Sequence, residues 1–325
     1  MSRETPRHGT PRQATPRDQV GAASGAALLR GYVIVSISYL IMGAIGALVD
    51  YTTAPESALL VLRFATAGLV LGVVFARRRP LSGVRRPGIP VRLLIMGLVD
   101  SATLLLFFVA LRDTSVSIGM VLEFMAPVWV AVAAPRIFKG RTEPVVYVAL
   151  GIALAGLVTI LWPTISGQTV KVSALGLAAG TVSGVGYAAF MMIVKDLTNR
   201  GVGAVTIVIC EMTIDSVVLL PLALWQTVGA GVQLTTRDIV VGIVLGVVCT
   251  ALAYTLWTEG VSRIRVQHSS ILGYLEPVSA PFYALLLLGE RPGAWTLMGG
   301  ALIIVAGVLV VTLGERDQPE ELIPA

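Results

Sequence analysis

Ten apolar stretches, each close to 20 residues long, follow one another near 31–50, 57–76, 92–111, 116–135, 144–163, 173–194, 203–225, 238–258, 268–288 and 295–313. A helix of about 20 apolar residues spans the roughly 30 Å hydrocarbon core of a bilayer, where a backbone must satisfy its own hydrogen bonds. The pattern therefore predicts an all-α polytopic membrane protein with ten transmembrane helices. Composition agrees: 55% of residues are hydrophobic, only 13% are charged and the mean hydropathy is +0.84. A soluble domain carries charge on about a quarter of its residues. The net charge of +5 is accounted for by basic loops on one side of a membrane, so no nucleic-acid partner is expected. Cys210 and Cys249 lie in apolar stretches without metal-ligand spacing, which implies neither a disulfide framework nor a metal site.

Each added or lost span would invert every later loop, so the basic residues test the count. With the amino end inside, 19 of the 24 fall in inner segments, from Arg3 to Arg30, Arg77 to Arg92, Arg136 to Arg141, and at Lys195, Arg200, Arg263, Arg265 and Arg316. Outer loops hold only Arg112, Lys171, Arg237 and Arg291, and Arg63 lies within the second span. The asymmetry places both termini in the cytoplasm and the chain in the cell membrane. Residues 1–30, with prolines and arginines interleaved, read as a disordered cytoplasmic tail, and 314–325 as a cytoplasmic carboxyl-terminal tail.

LEFMAP at 122–127 recurs as LEPVSAP at 275–281, and LRFATAG at 62–68 lies over CEMTIDS at 210–216. The offset divides the chain into five-helix repeats at 31–164 and 172–313. Five is odd, so the second repeat enters the bilayer in the opposite sense, giving the inverted repeats used by secondary transporters.

YLEPVSAPFYALLLLGER, followed by GGALIIVAGVLVV, resembles the end of an EamA-type domain of the drug/metabolite transporter superfamily. LRFATAG and FFVALRDTSVSIGMVLEFMAPVW are similar to its second helix and to its third-to-fourth helix hairpin, and the likeness covers roughly 31–313. The resemblance implies ten helices around a central cavity and movement of small metabolites by alternating access. The first half departs from the motif, with Gly140 standing where the second half has Glu290. The LEF…P element is also similar to exporters of threonine and homoserine.

A charged side chain at a helix centre costs about 2.5–3.5 kcal/mol on insertion scales, so ionisable groups at membrane depth mark candidate sites. At 1.5 Å per residue, Arg63 lies about 9 Å below the outer face and Asp215 about 18 Å above the inner one, nearly the same depth. Arg63 is expected to pair with Asp215 or with Glu211, its repeat counterpart; the alternative is that it snorkels outwards. Glu211 and Asp215, four apart, share a helix face. Two carboxylates at low dielectric cannot readily both ionise, so one is expected to carry a proton, as proton coupling requires. Asp100, about 13 Å from the inner face, is a second proton-coupling candidate, and its repeat counterpart is the neutral Cys249. Each carboxyl has a structural alternative, a hydrogen bond to a neighbouring helix. Glu123 and Glu276 precede prolines in the fourth and ninth helices, which should kink there and expose backbone to a cavity or cap freed amides. Aromatic side chains that could line a cavity are Tyr39, Phe108, Tyr187, Tyr254, Trp257 and Tyr274; bundle packing is their alternative role. Small-residue runs such as GAIGA and MGGALIIVAG permit close helix contact.

These residues suit a secondary transporter exporting a small polar metabolite such as an amino acid, with proton antiport; Arg63 opposed by several carboxylates would suit a zwitterion. A flippase for a lipid-linked sugar is the rival reading. A membrane-embedded enzyme is poorly served, since His8 and His268 lie outside any catalytic spacing, no Walker motif is present and no cofactor is implied. The partners expected are a small-molecule substrate and the lipid bilayer; a homodimer is left open.

Overall fold

In the computed structural model, which describes residues 16–78, 80–114, 116–167, 173–229 and 231–314, ten helical spans form one bundle. Among the described residues there is no strand. The spans are α1 (Pro16–Met42, resuming as Ala44–Asp50), α2 (Glu56–Val74), α3 (Ile89–Asp113), α4 (Val116–Glu123 and Ala126–Ile137) and α5 (Pro144–Gly167). They continue as α6 (Ala174–Asn199), α7 (Ala204–Thr227), α8 (Thr236–Val261), α9 (Val266–Leu272 and Leu275–Leu288) and α10 (Ala294–Leu313). All ten are long and apolar enough to cross a bilayer.

The amino-terminal tail needs a correction. Residues 16–30, expected to be irregular, are already helical. The run VGAASGAALL is rich in good helix formers, and extending a nucleated helix costs far less than starting one. Residues 1–15 and the tail from 315 lie outside the described residues.

The packing follows an exchange of two halves. Helices α2 and α7 pack on each other, as do α5 and α10; the contact of α3 with α6 is matched by that of α8 with α1, and α3 with α7 by α8 with α2. Sequence explains the tightness of the seam between α5 and α10. Gly156 on α5 faces Gly299 on α10 so tightly that a Cβ at Gly156 would lie 2.7 Å from the Gly299 carbonyl oxygen and 2.8 Å from Ile303.

Besides the short interruption of α1 at Gly43, three helices are irregular. α4 breaks at Phe124 and Met125, just before Pro127, and α9 breaks at Gly273 and Tyr274, just before Pro277, as the repeated LE…P elements predict. The breaks touch: the Tyr274 hydroxyl donates to the Phe124 carbonyl at 2.7 Å, and their rings stack at 5.9 Å. In α8, residues Leu245–Leu252 form a π-helical segment, where the Thr250 hydroxyl donates to the Leu245 carbonyl at 2.9 Å. Such insertions are common at functional sites because they displace one residue from the helical register.

Ion pairs tie the halves together at the end of the bundle carrying the start of α1 and the end of α10. Arg92 of α3 meets Asp196 of α6 at 3.1 Å, and Arg265 before α9 meets Glu143 before α5 at 2.7 Å. Lys195, fully buried, donates to the carbonyls of Val261 and Ile264 at 2.9 and 2.8 Å, closing the carboxyl end of α8. A buried acceptor left without a donor costs about 1–3 kcal/mol. Lys195→Met is therefore expected to destabilise the protein by about 2 kcal/mol or more, read as a lower midpoint of thermal unfolding in detergent. An unchanged midpoint would show that these carbonyls find other donors.

At the opposite end, Asp238 closes a capping box with Thr235 and accepts from the Thr53 amide at 3.1 Å, joining the α1–α2 loop to the start of α8. A cleft of about 330 Å³ opens there beside Asp50, Pro281, Glu290 and Arg291.

Candidate functional site

The structure gathers residues far apart in sequence into one charged centre between the halves. From α3 and α7 come Asp100, Glu211 and Asp215, all buried, each offering a carboxylate oxygen within 4.8 Å of the others. Asp100 and Asp215 interact side chain to side chain, and the Ser101 hydroxyl donates to Asp215 Oδ1 at 2.7 Å. Neither Glu211 oxygen, nor Asp215 Oδ2, has a donor among the described residues.

Arg63 stands beside this trio without pairing to it. Its Nε donates to the Thr250 hydroxyl at 2.5 Å and its Nη2 to the Tyr254 hydroxyl at 3.5 Å, while the guanidinium lies 5.3 Å from the Phe64 ring centroid and 5.7 Å from that of Tyr254. It interacts electrostatically with all three carboxyl groups, but no ion pair within 4 Å joins them among the described residues. The expected Arg63–Asp215 or Arg63–Glu211 pair is thus replaced by a hydroxyl clamp. Equal depth fixes a residue's height in the bundle but not the direction in which its helix presents it. The π-helical segment of α8 carries Thr250, whose hydroxyl takes the Arg63 Nε–H.

Glu123 and Glu276 complete the centre. Glu123 is hydrogen-bonded to Ser183 of α6 and feels both Asp100 and Glu276. Glu276 lies deep in the bundle and interacts with Arg63, Tyr39, Tyr187 and Tyr254, yet it retains accessible surface. Nearby, the Trp257 indole donates to the Tyr39 hydroxyl at 2.8 Å and stacks on Phe190 at 5.7 Å, and Phe190 in turn stacks on Tyr187 at 6.2 Å. Tyr254 holds Arg63, and Tyr274 holds the break in α4. Phe108, half-buried on α3, makes no ring contact with these among the described residues. Thr250, Ser101 and Ser183 did not stand out in the sequence. Ser101 could have been found by seeking a donor next to Asp100, whereas nothing in the sequence announces the register shift at Thr250.

Ten helices packed as exchangeable halves around a charged centre define a membrane transporter. The chain belongs to the EamA-like transporter family, whose model matches residues 29–162 and again 174–313. It is similar to an uncharacterized transporter of Archaeoglobus fulgidus, 29% identical over 70% of this chain and 78% of that protein. It is also similar to the pseudopaline exporter CntI of Pseudomonas aeruginosa, 25% identical over 84% of this chain and 92% of that one. The threonine/homoserine exporter RhtA of Salmonella typhimurium is 25% identical over 80% of this chain and 82% of its own length. A solved crystal structure, 19% identical, superposes with a TM-score of 0.73 over 89% of this chain and 97% of its own, which shows the shared fold. These relatives are named transporters and exporters, not enzymes.

Proposed function

We propose that this protein is a proton-coupled secondary exporter that moves a small polar metabolite out of the cell by alternating access, with Asp100, Glu211 and Asp215 as its proton-carrying group. The carrying observation is the convergence of these carboxyl groups within 4.8 Å of one another in a buried setting. Ionising all three there would place three negative charges in a low dielectric against one guanidinium. The site is therefore stable only with bound protons or a bound cation. Protons need no further ligands, whereas hard divalent cations take about six or more oxygens, and Ser101 is the one hydroxyl bonded to the trio among the described residues.

Export is supported by the relatives named as exporters, one of them for threonine and homoserine, which makes an amino acid the first cargo to try. The basic residues crowd the end of the bundle that holds Arg92, Arg200 and Arg265, and this end is taken to face the cytoplasm. The test is a proteoliposome assay with an imposed pH gradient and a panel of amino acids. Substrate-dependent dissipation of the gradient is the expected result. Transport of a panel member at an undiminished rate, with no accompanying proton movement, would overturn the proton part.

A further inference from the structure

Resting on the transporter reading, we propose that Arg63 and Glu276 are the two poles of the substrate site, and that they select a zwitterion bearing one carboxylate and one ammonium group. The inference comes from which charged groups at the centre are already satisfied. Asp100 and Asp215 interact side chain to side chain, Asp215 also accepts from Ser101, and Glu123 is bonded to Ser183. Glu211 has no exposure at all. Glu276 alone among the five carboxylates both lacks a hydrogen-bond partner among the described residues and retains accessible surface. Its own helix uses only its backbone, through the Ser279 hydroxyl.

Arg63 is its complement. Thr250 takes the Nε–H and Tyr254 accepts weakly from Nη2, which leaves the other guanidinium N–H groups without an acceptor among the described residues. The two groups act on each other electrostatically, yet they do not approach within the 4 Å of an ion pair. Unsatisfied buried charges of opposite sign are costly unless a ligand completes both. A cation alone would leave Arg63 unfilled, and an anion alone would leave Glu276 unfilled. A guanidinium presents parallel donors suited to a carboxylate. Glu276, which interacts with the Tyr39, Tyr187 and Tyr254 side chains, offers a carboxylate suited to an ammonium. Arg63 is on α2 and Glu276 on α9, so the ligand would bridge the two halves.

The test measures binding to the purified full-length protein of three probes: a pool of the twenty proteinogenic L-amino acids, the pool of their methyl esters and the pool of their N-acetyl derivatives. A charge-assisted hydrogen bond is worth about tenfold to a hundredfold. The native protein should therefore prefer the free amino acids over both derivatives by about tenfold or more. Arg63→Gln should erase the preference over the esters and keep that over the N-acetyl forms, while Glu276→Gln should do the reverse. Arg63→Lys, which keeps the charge, should retain most of the ester discrimination. A native protein that binds the derivatives as well as the free pool would overturn the proposal without reference to any variant. Equal weakening of all three pools by both substitutions would also overturn it, because that is what a purely structural role produces. Native binding of the pool without proton movement would leave this site standing and remove the proton coupling instead.

Discussion

Replacing Asp100 by Asn is expected to abolish substrate-driven proton movement while leaving the protein folded. Asparagine keeps the size of the aspartate and can hydrogen-bond Asp215, so the contact between α3 and α7 persists. What is lost is the exchangeable proton. Removing a positioned proton-transfer group costs about 10²–10⁴-fold, and the coupled flux should fall by at least that order. The measurement is dissipation of a pH gradient in proteoliposomes, with monodispersity in detergent as the control for folding. Glu211→Gln should also weaken coupling, because its two oxygens have no other donor among the described residues. Coupled flux within about twofold of the native value in both variants would remove the trio from the proton path.

Gly156→Leu is expected to have the largest effect on assembly. Lipid tails are as apolar as leucine, so helices in a membrane hold together through close packing rather than through burial from water. The seam between α5 and α10 depends on backbone contact at Gly156 and Gly299, where even a Cβ would sit 2.7 Å from a carbonyl oxygen. Overpacking a tight core costs about 1–3 kcal/mol, and here the neighbour to be displaced is backbone rather than a flexible side-chain end. Loss of the monodisperse peak, or a sharply lower unfolding midpoint, is the expected reading. Gly151→Leu is the matched control on the same helix, since a Cβ there meets nothing within 4 Å. Equal behaviour of the two variants would show that the seam is not tight.

Much of this architecture was legible in the residues, for identifiable reasons. Span length is set by bilayer thickness, so hydropathy finds the ten helices. The repeated LE…P elements locate the breaks in α4 and α9 because Pro127 and Pro277 lack the N–H that would bond the carbonyl four residues earlier. Rise per residue brought Arg63 and Asp215 to similar heights, and the structure places Arg63 beside the Asp100, Glu211 and Asp215 trio. Height does not give rotation about the helix axis, and so the partner of Arg63 was misjudged. Its clamp, Thr250, sits in a π-helical segment written in apolar residues that would serve equally in an α-helix. Glu276 and Glu123 look equivalent in sequence; Ser183 of the other half distinguishes them, and only packing reveals it. The start of α1 was placed late because proline and arginine dominate the leader up to Arg17, while the helix-forming run that follows is short.

The clasp between the Phe124 carbonyl and the Tyr274 hydroxyl joins the two broken helices at their weakest points. Each break is where its helix can bend, and each belongs to a different half. A bend in α4 at this point would therefore be felt at the break in α9, and the reverse. In the alternating-access cycle proposed above, such joints would work as meshed gears, the bend that opens one mouth of the passage turning the wheel that shuts the opposite one.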